Sequence, residues 1–261
     1  MLIIVSIFVG LVVAFYTLLP LLVLFNQKMD GNMQLIVYDS ENKRPPKRAA
    51  KFMAEVSESL KDMGFDEHPI IALPSPMPNV MAVCQLWINP RTRDAALVSA
   101  IFGDADQGDA NSSTLYVEYL SRFQNEEISL IQTNNTQQVS AFAPIPEELT
   151  FRFPQVQDPE ELYQLHCKLL ERHAPNSRKL LSLEDQFAGD LEAYVRWAIT
   201  DSFRKQEGTG YLVQKEADLW MPTVKGAYMM TWSQLWPMNA YIKQSIRRKA
   251  DRLLAELGEG D

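Results

Sequence analysis

Three hydrophobic patterns follow one another along the chain. The first is unbroken: LIIVSIFVGLVVAFYTLLPLLVLF, Leu2 to Phe25, holds no charged residue. As a helix it would reach roughly 36 Å, enough for a ~30 Å hydrocarbon core with some tilt. The second pattern is helical. Phe52, Met53, Val56, Leu60 and Met63 recur at i, i+3, i+4 spacing after Pro45 and Pro46, and Gly64 with Phe65 reads as a left-handed cap. A short strand is expected before it, at Met33–Asp39.

From about Val80 to Phe153 the period becomes two. VMAVCQLWI and AALVSAIF flank NPRTRD and read as a hairpin. TLYVEYLSRF, EEISLIQT, VSAFAPIP and TFRFPQV follow, the prolines marking edges or strand ends. This predicts an antiparallel sheet of about five or six strands with helices on one face. Helical spacing then returns. Asp158-Pro159-Glu160-Glu161 is a helix start, with Leu162, Leu165, Leu169 and Leu170 as its stripe. Ser182 opens a longer helix through Leu183, Phe187, Leu191, Tyr194, Val195, Ile199 and Phe203, ended by EGTG. YLVQ and LWMP around KEAD predict a second hairpin.

The fold class is therefore α+β. The chain divides into a transmembrane anchor (1–27), an α+β domain with an antiparallel sheet (28–176), and a helical module (177–261). That module carries the short β-hairpin and a basic amphipathic C-terminal helix. The segment YLVQKEADLWMPTVKGAY resembles the wing of winged-helix domains. Asp185, Asp190, Glu192 and Asp201 before it would repel phosphates, so the resemblance implies protein contact or structure and not DNA binding.

The apolar run lacks a basic leader and a small-x-small site, which makes it an uncleaved anchor and not a signal peptide. Lys28, Lys43, Arg44, Lys47, Arg48 and Lys51 follow it. The positive-inside bias then places the N-terminus outside and the rest in the cytoplasm, at the cell membrane. Ser6, Gly10 and Ala14 recur every fourth residue, a face on which a second helix could pair. Two cysteines, Cys84 and Cys167, are too few for a disulfide framework. A net charge of -8 argues against a general nucleic-acid binder.

The C-terminal stretch is unlike the rest. Tyr228, Trp232 and Trp236 recur at i, i+4, i+8, and Pro237 is expected in the first turn of a new helix. Met238, Tyr241, Ile242, Ile246, Leu253, Leu254 and Leu257 are that helix's apolar stripe, and Lys243, Arg247, Arg248, Lys249 and Arg252 its basic face. Packing on the domain is the common fate of such a helix. Beside an anchor, Trp232, Trp236 and the five basic residues are also candidates for contact with the membrane surface.

Chemistry is less legible. There is no phosphate loop, Gly-x-Gly-x-x-Gly, Gly-x-Ser-x-Gly or His-Glu-x-x-His. GDADQGDANSST, with Asp104, Asp106 and Asp109, departs from calcium-loop order and reads as a solvated turn. His166 and His173 lie two helical turns apart, about 10.8 Å, too far to share a metal. No catalytic residue, metal or cofactor is assigned. The expected function is a membrane-anchored protein with a cytoplasmic binding or scaffolding domain. The alternatives are a small-ligand sensor and, third, an enzyme without a recognisable motif. Expected partners are the bilayer and a protein partner or second copy; no nucleic acid or particular small molecule is implied.

Overall fold

The computed structural model describes residues 2–38, 44–74, 80–103, 114–125, 127–180 and 182–258, with the side chains of 2–5, 8, 9 and 182 outside that description. The acidic turn with Asp104, Asp106 and Asp109 lies outside the described residues. In chain order the elements are α1 (Leu2–Asn26), β1 (Met29–Asp30), β2 (Ile36–Tyr38), α2 (Lys47–Asp62), β3 (Asp66–Pro74), β4 (Val80–Asn89), β5 (Asp94–Gly103), β6 (Thr114–Phe123), β7 (Leu130–Asn134), β8 (Glu148–Arg152), α3 (Pro159–His173), β9 (Lys179–Leu180), α4 (Ser182–Phe187), α5 (Leu191–Gly208), β10 (Leu212–Glu216), β11 (Leu219–Pro222), α6 (Val224–Gln234) and α7 (Met238–Gly258). They fall into two units. The smaller holds Met1–Asn32, Val139–Pro144 and Ala198–Gln244; the larger holds Met33–Gln138, Ile145–Trp197 and Ser245–Asp261.

The larger unit is an α+β structure around an 8-stranded sheet of order β2-β3-β4-β5-β6-β7-β8, with β9 paired to β6. The sheet is larger than the five or six expected strands, and it is mixed: β7 and β8 run parallel. Two causes are visible. β3 carries Pro69, which breaks the period, and its register with β4 shifts between Glu67 and Ile70. VSAFAPIP is not a strand: 139–146 is irregular, and Pro144 and Pro146 have no N–H to give a ladder. The segment between β7 and β8 is therefore a crossover, which is what a parallel pair needs.

One sheet face carries alternate residues such as Val83, Trp87, Val98, Val117 and Tyr119. They pack with Met53, Val56 and Leu60 of α2, Leu162, Leu165 and Leu169 of α3, and Ala250 and Leu257 of α7. Asp158 caps α3, accepting from the Glu161 N–H at 2.9 Å. Gly64, at φ 83°, turns the chain out of α2 so that Phe65 is buried. On the other face Leu86 and Ile88 meet Leu183 and Tyr194. The single long helix expected from Ser182 is two, α4 and α5. Ala188 and Gly189 both take positive φ, and Asp190 then accepts from the Ala193 N–H at 3.0 Å to start α5.

In the smaller unit the predicted hairpin forms as β10–β11, with β1 as a third strand. Met29, Phe203, Leu212, Trp220 and Met230 are its core. Among the described residues no helix is long and apolar enough to cross a membrane.

Gly226 lies where α6 passes the backbone of Tyr211: a Cβ there would sit 1.9 Å from the Tyr211 carbonyl oxygen. Backbone cannot swing aside as a side chain can. Gly226→Ala is therefore expected to destabilise the smaller unit by at least the ~1–3 kcal/mol of an overpacked core. A fall in Tm of the full chain in mild detergent would show it; an unchanged Tm would count against this packing.

Candidate functional site

The larger unit buries a polar cluster inside its helix-covered core. Asp94 at the start of β5, Ser121 on β6, Thr133 on β7 and His166 on α3 are all at most 1% exposed. The odd-numbered residues of β6 face α3, which brings Ser121 under His166. The Ser121 hydroxyl donates to Asp94 Oδ1. His166 Nε2 lies 3.0 Å from Ser121 Oγ, and Nδ1 lies 2.9 Å from Thr133 Oγ1. The Lys179 ammonium, from β9, pairs with Asp94 Oδ1. Tyr163 donates to Asp94 Oδ2 at 2.9 Å and lies 3.1 Å from Thr92 Oγ1.

One proton arrangement satisfies every group. Ser121 gives its proton to Asp94, so its oxygen accepts from His166 Nε2–H, and Nδ1 accepts from Thr133. Burial lowers the His166 pKa to about 4, so the ring is neutral. Burial pushes the Asp94 carboxyl up, but the Lys179 ammonium and the bonds from Lys179 and Ser121 outweigh it and hold the group below its usual range. This is not a nucleophile and its base. An activated serine hands its proton to histidine, whereas here that proton is committed to Asp94 and Nε2 already carries one. The cluster ties β5, β6, β7, β9 and α3 together, and its chemistry is structural.

Other groups are similarly occupied. Cys84 is buried and its thiol is pushed up to about 11, away from a reactive thiolate. His173 stacks on Phe151 at 5.2 Å. A recess lined by Leu86, Arg93, Arg122, Leu183 and Tyr194 encloses about 20 Å³, room for about one water. Among the described residues no three His, Cys, Asp or Glu side chains gather as a metal site.

The remaining candidate is the smaller unit's α1–α6 seam. Pro20 has no N–H, so the Tyr16 carbonyl one turn earlier loses its helical partner. Trp232 Nε1 supplies the missing donor at 3.0 Å. Beside it the Tyr228 hydroxyl donates to the Thr17 carbonyl at 3.3 Å, and the Tyr16 hydroxyl donates to the Trp236 carbonyl. Pro20 itself is buried. The aromatic repeat read in the sequence thus places Tyr228 and Trp232 against α1, while the Trp236 side chain is 76% exposed.

The other sequence candidates separate. Lys243, Arg247, Arg248, Lys249 and Arg252 are all exposed. Arg247 donates to Gln137 Oε1 at 2.6 Å. Pro237 stands just before α7 and not inside its first turn. Ser6 and Gly10 are exposed and Ala14 half-buried, and a Cβ on Gly10 would meet nothing within 4 Å.

No family model, curated protein or solved structure matches the chain. The buried cluster was not read from the sequence. Its one signal is His166 inside the Leu162–Leu165–Leu169 stripe, since a polar side chain on a buried face needs partners. Pro20, with its orphaned carbonyl, was the corresponding signal for the α1–α6 seam.

Proposed function

We propose that the protein is a single-pass membrane-anchored binding or scaffolding protein, with α1 as the anchor and the larger unit in the cytoplasm. The observation that carries this reading is α1. It runs without a charge from Leu2 to Phe25. It also leaves Ile7, Leu11, Val13, Phe15, Leu18, Leu22 and Phe25 each more than half exposed, a surface that water disfavours and acyl chains do not. Lys28, Lys47, Arg48 and Lys51 after the helix favour the cytoplasmic side. Binding is preferred to catalysis because Asp94, Ser121, Thr133 and His166, the buried polar cluster of the larger unit, are committed to one another.

The full chain is expected to stay with membranes through an alkaline carbonate wash; release by the wash overturns the anchor. Orientation is read with Glu171→Cys, an exposed position on α3, in a Cys84→Ala, Cys167→Ala background. A membrane-impermeant maleimide should label it only after permeabilisation, and labelling in intact cells reverses the orientation. Scaffolding predicts a stoichiometric partner on native purification in mild detergent. Recovery of the bait alone counts against it.

A further inference from the structure

We infer that α6 and the turn into α7 enter the acyl-chain region beside the C-terminal half of α1, so that the membrane-embedded part is a helix pair and not a lone anchor. This rests on the anchoring role proposed for α1.

The seam fixes the level of α6 on α1. Trp232 and Tyr228 bond the carbonyls of Tyr16 and Thr17. Those carbonyls lie about 15 Å along the helix from its end at Asn26, at 1.5 Å per residue, and half a hydrocarbon core is about 15 Å. If the water boundary lay at Tyr16 instead, the exposed Leu18, Leu22 and Phe25 beyond it would face water. They are apolar, and the first charge is Lys28. The boundary belongs near Lys28, and α6 is then carried below it.

α6 is composed for that position. From Gly226 to Ile242 there is no charged residue. Met229, Trp232, Trp236, Met238 and Tyr241 are exposed large hydrophobic side chains, as are Leu18, Leu22 and Phe25 of α1. Its boundary lysines fit the edges of such a segment. Lys225 turns back to the Thr209 carbonyl at 2.7 Å, and Lys243 is exposed. The Trp232 bond also answers a membrane-specific need. In water the Tyr16 carbonyl freed by Pro20 could be solvated, whereas in acyl chains a neighbouring helix must supply the donor. The occupant of this face is therefore lipid.

The test is nitroxide accessibility in the full chain, reconstituted into phosphatidylcholine–phosphatidylglycerol vesicles, with Cys84→Ala and Cys167→Ala throughout. Met229→Cys and Met238→Cys carry the probe on the proposed face. Leu18→Cys reports α1 and Glu171→Cys is the aqueous reference. The expected result is an oxygen-to-nickel-chelate accessibility ratio at Met229→Cys and Met238→Cys several-fold above that at Glu171→Cys and similar to Leu18→Cys. Aqueous ratios at both with a lipid ratio at Leu18→Cys overturn the inference and leave the anchor intact. An aqueous ratio at Leu18→Cys overturns the anchor and the inference with it. Low access to both reagents with spin–spin broadening at Met229→Cys replaces lipid with a second copy of the chain.

Discussion

Asp94→Ala should destabilise the larger unit by about 3–5 kcal/mol, the usual effect of removing one partner from a buried ion pair. The carboxylate is 1% exposed and receives Lys179, Ser121 and Tyr163. Its loss leaves the half-buried Lys179 ammonium and two hydroxyls without their common acceptor. Unfolding of the full chain in mild detergent, followed by near-UV circular dichroism, measures the effect. The signal is local, because Tyr119, Tyr163 and Phe65 pack with ring centroids 5.0–5.9 Å apart around the site. Asp94→Ala with Lys179→Met should recover part of the loss, since no unpaired charge then borders the cluster. A single-variant change below about 1 kcal/mol, the scale of an exposed pair, would mean that the cluster does not hold these strands together.

The cluster also shows where sequence reading stops. Period-two alternation located β4, β5 and β6 because one face of each meets the core. Asp158 and Gly64 marked helix ends because caps are local chemistry. Neither signal says what lies across the interior. Ser121 is 45 positions from His166, and Trp232 is 216 positions from Tyr16. Those meetings depend on sheet order and helix docking, which leave no periodic trace. Where the local reading failed, a backbone constraint had interrupted the period: Pro69 in β3, Pro144 and Pro146 in the crossover, and the Ala188–Gly189 break between α4 and α5. The two units are also discontinuous in sequence, drawing on three segments each, and no linear pass can assemble such a grouping. For the seam the situation was better. The aromatic i, i+4, i+8 repeat and Pro20 were both visible, and only their pairing was hidden.

Acidification supplies the second large effect. His166 falls from 6.5 to about 4 in the folded protein because burial disfavours its charged form. Below pH 6.5 the unfolded chain takes up this proton, whereas the folded chain does so only near pH 4. Through that window the unfolded state binds more protons, so stability falls as pH falls. The full gap corresponds to roughly 3 kcal/mol. Asp94 adds to the loss at lower pH: its folded carboxyl is held below its ordinary value, so its contribution disappears as pH drops through that depressed value. Glu118 works in the opposite direction. Burial raises its carboxyl, so the folded state takes that proton first and gains on acidification. The histidine is therefore isolated by difference. His166→Gln should lower stability at every pH, because Ser121 and Thr133 lose a matched partner, but its slope between pH 6.5 and 4 should be flatter than that of the parent chain. Denaturant midpoints for both proteins at pH 7, 5.5 and 4.5 give the comparison. Parallel curves would mean that His166 is protonated in the folded core, with Nε2–H still donating to Ser121 and Nδ1–H donating to Thr133 instead of accepting from it.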